Sequence, residues 1–292
     1  MPSTRDIRRR IKSVKNTAQI TKAMQMVAAS KMRRAQQSAL AGRPYASLMN
    51  EVLAEVTFHA GDFTHPLMEK REEGKRAVVV VSTDKGLCGA LNSNLMREAA
   101  KFDRAAAVYI TAGRKASQFI ARTKRQLAAE FTYKDAPLFG EARAISKFAQ
   151  DLFLKGEVTQ VDVLFTNFIS TLNQRPEVFP FLPVGELKAV TAGVHGDAMG
   201  EKLLKGATEF LFEPQVEDVL GALLPHYLNF QMYQILLEAK ASEHSSRMVA
   251  MKNATDNAKE LIKDLTLEYN KLRQANITRE LLEITSAAMA MG

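Results

Sequence analysis

Apolar residues recur at helical spacing in the first 59 residues of the chain. They advance by steps of four, three and four at Ile7, Ile11, Val14 and Ala18, which is the spacing of a helix that packs in a coiled coil. Gly42 and Pro44 interrupt the pattern, and apolar residues then resume a helical period. Because glycine and proline weaken or bend a helix and the period resumes after them, the pattern predicts one bent helix from Ser3 to about His59.

The C-terminal part of the chain shows a longer helical pattern. Residues 226–291 contain no glycine or proline, and as one helix these 66 residues would reach roughly 100 Å at about 1.5 Å per residue. Heptad steps occur in two groups, at Ile262, Leu265, Tyr269 and Leu272 and then at Ile277, Leu281, Ile284, Ala288 and Met291. Between residues 239 and 259 the apolar pattern thins to small and polar residues.

The middle of the chain alternates between short apolar runs and helical patterns. Strands are predicted at 76–84, 106–112, 161–169, 177–184 and 209–212, and helices at 90–102, 113–123 and 141–155. The run AVVVV, residues 77–81, suits a central strand that is covered on both faces. Alternation of strands and helices indicates a small layered α/β domain.

Two long terminal helices around a compact domain bury their apolar stripes most simply against each other. We therefore predict an α/β protein in which segments 1–59 and 214–292 form a long antiparallel coiled coil and residues 60–213 form the inserted domain. If the helices enter the domain near residues 58 and 213, the numbers of paired residues sum to about 271, within one turn.

That register leaves the helix after Tyr269 without a partner. This overhang of about 23 residues carries apolar side chains around most of its circumference. A single helix with such a surface needs a sleeve, meaning other chains that surround it and cover its apolar side chains.

Charge is concentrated at the N-terminus. The first 40 residues hold ten lysines and arginines against Asp6 alone, a net charge of +9, so the other 252 residues sum to −1. A solvated charged face would explain the run, and so would contact with a phosphate backbone, an anionic membrane surface or an acidic protein partner.

The amino-acid composition limits the classes of protein to which this chain can belong. A chain of 292 residues with 46% hydrophobic residues can bury a core. Cys88 is the only cysteine, which excludes an internal disulfide framework and is typical of a reducing compartment. No run of 18 apolar residues occurs, and the first residues lack the apolar stretch of a secretory signal. We expect a soluble, cytoplasmic protein.

No motif in the chain predicts catalysis. The stretch STDKGLCGALNSN, residues 82–94, follows a strand as a phosphate loop does, but it matches no nucleotide-binding pattern. It suits a tight turn, with Gly86 and Gly89 supplying backbone freedom, or a surface for a partner. Cys88 has no histidine nearby in sequence, and the five histidines lack metal-ligand spacing. We expect no catalytic residue, no cofactor and no metal site.

Four stretches in order resemble the gamma subunit of the F-type ATP synthase. They are ITKAMQMVAASKMRRAQ, GLCGALNSN, RMVAMKNATDNA and ITRELLEITSAAMA, and the resemblance covers essentially the whole chain. It implies a coiled coil carrying a Rossmann-like domain without a nucleotide site. It also implies the function of a central rotor shaft, which couples proton flow to ATP synthesis or hydrolysis on other subunits. The lone cysteine and the absence of a transit peptide favour a bacterial member.

The resemblance also implies partners. These are the hexamer of alpha and beta subunits, the epsilon subunit and the c-ring, at the cytoplasmic face of the bacterial inner membrane. Contacts with acidic beta loops are implied at Met24, Glu243 and Arg247, and contacts with alpha and beta catch loops at Gln274, Thr278 and Glu280. We expect Arg247 to be exposed, so its replacement by glutamate should affect coupling and barely affect folding, because exposed ion pairs contribute only about 0–1 kcal/mol.

A second interpretation belongs to a different class of protein. Nucleic-acid-binding and chromosome-organising proteins also carry antiparallel coiled coils, and the basic N-terminal helix supports that reading. Such arms usually hold sustained heptads of large apolar residues, which this chain lacks.

Overall fold

The computed structural model describes residues 3–59, 65–71, 74–185 and 215–291. The chain divides into two compact units, one of residues 1–28 with 248–292 and one of residues 29–247. The helices are α1 (Thr4–Ala41), α2 (Arg43–His59), α3 (Leu91–Lys101), α4 (Arg114–Arg122), α5 (Phe139–Leu154) and α6 (Val216–Met291). The strands are β1 (Arg76–Val81), β2 (Ala107–Ala112), β3 (Gln126–Phe131), β4 (Gln160–Phe168) and β5 (Gln174–Leu182).

The first unit is built from the two ends of the chain, paired as antiparallel helices. Its seam follows the predicted heptads. On α1 the least exposed positions are residues 7, 11, 14, 18, 21 and 28, and on α6 they are residues 251, 255, 258, 262, 265, 269 and 272. Many of these seam residues are small, such as Ala18, Ala28 and Ala258, so the two helices share only a thin apolar contact.

The register of this pairing differs from the expected one. The hydroxyls of Thr21 and Thr255 lie 2.7 Å apart, and Arg8 donates to the hydroxyl of Tyr269 at 3.1 Å. The paired numbers sum to 276 and 277, so the predicted sum of about 271 is wrong by more than one turn. In the second unit Tyr45 and His226, which sum to 271, do pair. The helix break at residue 42 lies between these pairs, so no constant register holds on both sides of it.

The predicted overhang is present in the first unit. Every described side chain from Arg273 to Met289 is exposed. The large apolar residues among them are between 48% and 85% exposed: Ile277, Leu281, Leu282, Ile284 and Met289. The overhang begins about four residues later than expected, because Tyr269 still contacts Arg8.

The second unit contains a five-stranded sheet in the order β3-β2-β1-β4-β5. Strands β1 to β4 are parallel, and β5 pairs with β4 in the antiparallel sense. Alternate residues of β1 point to opposite faces. Ala77, Val79 and Val81 pack with residues of α2, α5 and α6, whereas Val78 and Val80 pack with residues of α3 and α4. The prediction of a central strand covered on both faces is therefore confirmed.

Two details of the second unit differ from expectation, the break in the N-terminal helix and an additional strand. The helix predicted over residues 3–59 ends at Ala41 and resumes at Arg43. The residue between them is Gly42, where an added side chain would overlap the amide of Gln234. Helix α6 begins at Val216, inside the segment 214–292 that was expected to be helical, and contains Pro225. Buried leucines on both sides of that proline stabilise the helix there, at residues 220, 224 and 228. Strand β3 was not predicted, and the predicted strand 209–212 lies outside the described residues.

Candidate functional site

The outer face of α1 in the first unit carries exposed apolar residues. Ile20 is 61% exposed, Met26 59% and Val27 55%. Met24, which the resemblance marks as a partner contact, lies between them on this helix and is half-buried. Exposed apolar side chains grouped on one helix are typical of a surface that meets other proteins.

The overhang carries the other predicted contacts. Gln274, Thr278 and Glu280 are all exposed on α6. The hydroxyl of Thr278 donates to the carbonyl of Gln274 at 3.0 Å, within the same helix. The two remaining predicted contacts, Glu243 and Arg247, belong to the second unit, so the first unit does not assemble all six residues.

Helix α6 passes through a collar in the second unit. We use this name for the segment Lys240–Arg247 and the loops of the sheet that surround it. Residues 240–245 are all buried whatever side of the helix they occupy, although five of these six side chains are polar or charged. A helix of this composition stays buried only if its polar groups find partners.

Three serines attach α6 to backbone carbonyls of the collar. Ser242 donates to the carbonyl of Thr166 at 2.9 Å, and Ser245 donates to that of Thr171 at 2.8 Å. Ser246 donates to the carbonyl of Cys88 at 2.6 Å. These acceptors lie in β4, in the turn between β4 and β5, and in the loop between β1 and α3.

A chain of buried charges runs along the same segment. The carboxylate of Glu243 lies 2.9 Å from Nζ of Lys240 and 2.8 Å from Nη2 of Arg247. Lys240 also lies 3.7 Å from a carboxylate oxygen of Asp135 and 4.6 Å from the ring centre of Tyr133. The side chains of Lys240 and Glu243 are only 2% and 4% exposed, so each charge depends on the others for compensation.

Asp135 connects this chain of charges to α1. Its carboxylate pairs with Lys31, and that hydrogen bond is the main reason why the pKa of Asp135 lies below its usual value. Nine of the ten basic residues in the first 40 are exposed, and Lys31 is the half-buried exception. The basic run is therefore mostly a solvated face, with one lysine used inside the protein.

His244 lies inside the collar in its neutral form. Burial lowers its pKa to about 4, and the opposing attractions of Glu243 and Asp135 do not restore it. Its Nδ1 lies 3.5 Å from the guanidinium of Arg247. Its Nε2 is buried and has no hydrogen-bond partner among the described residues.

The loop between β1 and α3 offers carbonyl oxygens to α6. Arg247 donates to the carbonyls of Lys85 and Gly86 at 3.3 Å each, and its side chain is only 12% exposed. The expectation of an exposed Arg247 is therefore wrong. The loop turns tightly, as predicted, but its positive φ angles fall at Leu87 (61°) and Gly89 (58°). Gly86 has no such angle, so only one of the two glycines supplies the predicted backbone freedom.

The cysteine of this loop is an inaccessible thiol. Cys88 is 2% exposed, and Asn92 donates to its sulfur at 3.2 Å. Burial raises the pKa of the thiol, which lowers the fraction of reactive thiolate. These features match a structural cysteine.

The residues of the collar were mostly missed from the sequence. Glu243 and Arg247 entered only through the family resemblance, and Lys240, the three serines and Asp135 were not identified. One signal was present. The thinning of apolar residues after position 239 marks a helix segment whose neighbours are polar backbone groups.

The described residues lack two features that would point to other functions. Among them, no group of histidine, cysteine, aspartate and glutamate side chains has the arrangement of a metal site. Within the same ranges, no helix combines the length and the apolar character needed to cross a membrane.

Known proteins resemble this chain along its whole length. The family described as ATP synthase matches residues 3–291. The ATP synthase gamma chain of Opitutus terrae is 49% identical and covers 99% of both chains. The ATP synthase gamma chain of Methylacidiphilum infernorum is 46% identical and covers 100% of both.

Solved structures agree with the fold. A chain of the central stalk and c-ring of the Tetrahymena thermophila mitochondrial ATP synthase superposes with a TM-score of 0.59 at 25% identity, covering 80% of this chain and 99% of that one. A chain of the Euglena gracilis mitochondrial ATP synthase superposes with a TM-score of 0.69 at 20% identity, covering 99% and 94%. The second likeness concerns the fold alone.

These comparisons do not support the nucleic-acid-binding alternative, since the matches are to subunits of a rotary ATP synthase. Identity near one half over the full length of bacterial relatives is far above what a shared fold alone produces. The chain belongs to the ATP synthase gamma chain family.

Proposed function

We propose that this chain is the central rotor shaft of an F1Fo ATP synthase. It couples proton flow through a membrane sector to ATP synthesis or hydrolysis on other subunits by rotating among them. Membership of the gamma chain family supports this function over the whole length of the chain. In functional terms the shaft comprises residues 1–59 and 214–292, and the domain 60–213 connects it to the membrane sector.

The observation that carries the proposal is the exposed apolar surface of the overhang. Leu281 is 58% exposed, Leu282 61% and Ile284 65%, although they lie close together on one helix. Three buried leucine-sized side chains would each stabilise an assembly by roughly 1.5–3 kcal/mol if a partner covered them. A ring of alpha and beta subunits is a sleeve of the required kind, because it encloses a helix from all sides.

The partners follow from this placement. They are the alpha and beta subunits around the shaft, and the epsilon subunit and the c-ring at the domain. The chain is a non-catalytic subunit, and it is held peripherally at the cytoplasmic face of the bacterial inner membrane through the complex. It needs no cofactor of its own.

Contacts with the ring are proposed at two levels. In the first unit Met24 is proposed to meet acidic beta loops, and in the second unit Arg247 and Glu243 are proposed to act on such loops. Because Glu243 is 3% exposed, it acts on those loops by holding the guanidinium of Arg247 and not by touching them. Gln274, Thr278 and Glu280 meet the catch loops of the alpha and beta subunits along the exposed overhang.

The mechanism follows from the asymmetry of the shaft. A shaft presents a different side to each of three beta subunits, so each is biased in turn toward a state that binds, holds or releases nucleotide. The thin seam of the coil suits this task. The surface of α1 is largely basic and exposed, and exposed ion pairs are individually weak, about 0–1 kcal/mol each, so the shaft can pass successive partners without being trapped.

The test is to attach an affinity tag to this chain and purify the complex from its own host. Alpha, beta and epsilon subunits should be recovered with it. A bead fixed to the α/β domain should then rotate in one direction when ATP is added to the immobilised ring. A complex that hydrolyses ATP while the bead stays still, or a tagged chain that recovers none of these subunits, would refute the proposal.

A further inference from the structure

We infer that the segment Lys240–Arg247 is a torsional lock, which prevents α6 from turning about its own axis inside the α/β unit. The inference rests on the proposed rotor function, since only a shaft that carries torque needs such a device. The lock consists of the three serine hydroxyls, the buried charge chain and their acceptors in the collar. All of these residues belong to one compact unit.

The attachments surround the helix axis. Successive residues of an α-helix are rotated by about 100°. Measured from Lys240, Ser245 lies at about 140°, Ser242 at about 200°, Ser246 at about 240° and Arg247 at about 340°. A helix attached along one face could roll about that face, whereas attachments on several sides oppose rotation in both directions.

The acceptors belong to four different parts of the unit. Thr166 lies in β4, Thr171 in the turn between β4 and β5, Cys88 and Gly86 in the loop after β1, and Asp135 in the segment between β3 and α5. Three of these parts accept through backbone carbonyls, one in strand β4 and the others in connections that begin at the ends of β1 and β4. Torque on the α/β unit therefore reaches the helix through the sheet and not through a single loop.

The chemistry of the segment supports a lock over ordinary core packing. Apolar contacts are non-directional, so a helix with a leucine surface can shift while keeping most of its burial. Hydrogen bonds require fixed geometry, and a buried donor that loses its acceptor is left unsatisfied. Between residues 220 and 239 the buried face of α6 is mostly apolar, and at residues 240–247 it becomes polar and charged. The change of chemistry coincides with the ring of attachments.

The test removes the hydroxyls without changing the helix. The variant Ser242→Ala/Ser245→Ala/Ser246→Ala is compared with Thr266→Ala, whose hydroxyl donates at 2.6 Å to Ile262 in its own helix. Both are placed in the assembled complex with spin labels at Leu172→Cys and Ala222→Cys, two exposed positions of the same unit, in a Cys88→Ser background. We expect the distribution of label-to-label distances to broaden in the triple variant and to stay narrow in the control.

Proton pumping per ATP hydrolysed is then measured in membrane vesicles. The triple variant should pump fewer protons per ATP than the control, because part of each rotation is lost as turning of α6 within the unit. An unbroadened distribution would refute the lock, and a broadened one with unchanged pumping would refute its function in torque. If the triple variant does not assemble, Ser246→Ala alone, which removes the 2.6 Å bond, gives the same comparison.

Failure of the rotor proposal would look different. In that case the complex containing the unaltered chain would neither rotate nor pump, whatever the spin labels report. The label measurement tests the lock by itself, and the unaltered complex tests the proposed function.

Discussion

The carboxylate of Glu243 pairs with the guanidinium of Arg247 at 2.8 Å, while only 4% of the Glu243 side chain is exposed. The same carboxylate lies 2.9 Å from the ammonium of Lys240, whose side chain is 2% exposed. One buried anion therefore compensates two cations. The three residues therefore stabilise the folded chain itself, whether or not a partner protein contacts them.

Replacing Glu243 by glutamine should destabilise the chain strongly. The amide keeps the shape but not the charge, so Lys240 and Arg247 remain in the collar without their shared anion. Removal of one partner from a buried ion pair typically costs about 3–5 kcal/mol. Chemical denaturation of the purified chain measures the loss.

The matched control is Glu98→Gln. Glu98 pairs with Lys101 at 2.8 Å on α3, with side chains that are 32% and 67% exposed. Such a pair contributes about 0–1 kcal/mol. Equal losses of unfolding free energy in the two variants would show that burial of Glu243 does not increase its contribution to stability. By the same reasoning Arg247→Glu, which places two carboxylates together, should lower stability as well as coupling.

Replacing Gly113 by alanine should also be costly. Gly113 precedes α4 with a φ of 105°, and an added Cβ would overlap the carbonyl of Ser82. Strain at such a backbone conformation costs about 1–3 kcal/mol, and the overlap adds to it. Gly140→Ala is the control, because no atom lies within 4 Å of its added Cβ and α5 favours alanine by about 0.5–1 kcal/mol. Denaturation midpoints that fall in both variants, or in neither, would contradict this account.

Local patterns predicted most of the fold, and contacts made far along the chain account for what was missed. The heptads of α1 and α6 could be predicted from the sequence, because each residue's position on the seam depends only on spacing within its own helix. The register was not, because it depends on the break at residue 42. Strand β3 was missed because it lies at the sheet edge and its residues are mostly exposed, so it lacks an apolar run.

The collar was harder to predict for a different reason. A serine in a long helix is expected to face solvent. Ser242, Ser245 and Ser246 become attachment points only because the fold places the connections after β1 and β4 beside them. Their acceptors are carbonyls, which every residue has. No pattern of side chains in those loops marks them as partners, so only the folded structure identifies them.

Acid should weaken the collar through His244. Its pKa of about 4 is below its ordinary value of 6.5, so between these values the unfolded chain binds more protons than the folded one. Stability from the neutral imidazole is therefore present above pH 6.5 and is lost as the pH falls toward 4. The loss is at most about 3 kcal/mol. The groups that face this histidine are Glu243, Asp135, Arg247 and Lys240.

The measurement is the free energy of unfolding of the unaltered chain and of His244→Gln between pH 7 and pH 4. Carboxylates that do not face residue 244 titrate alike in both proteins, so the difference between the two curves reports the histidine and its interactions with Glu243 and Asp135. The unaltered chain should lose more stability over this range than the variant does. Parallel curves would mean that His244 takes up its proton in the folded chain as readily as in the unfolded one.

The overhang should exchange its amide hydrogens quickly in the isolated chain. From Arg273 to Met289 each described side chain is exposed, so the helix there lacks buried packing among the described residues, and such packing supplies most of the stability of helices in proteins. Residues 251–265 of the same helix lie in the seam and serve as the internal control, since Met251, Thr255 and Leu265 are buried. Hydrogen exchange should therefore be fast at 277–289 and slow at 251–265 in a monomer confirmed by light scattering.

Addition of the alpha and beta ring should protect 277–289, because the sleeve covers the apolar side chains and blocks local opening. Strong protection of 277–289 in the proven monomer would show that the overhang is stable alone, and the argument that it needs a sleeve would fail.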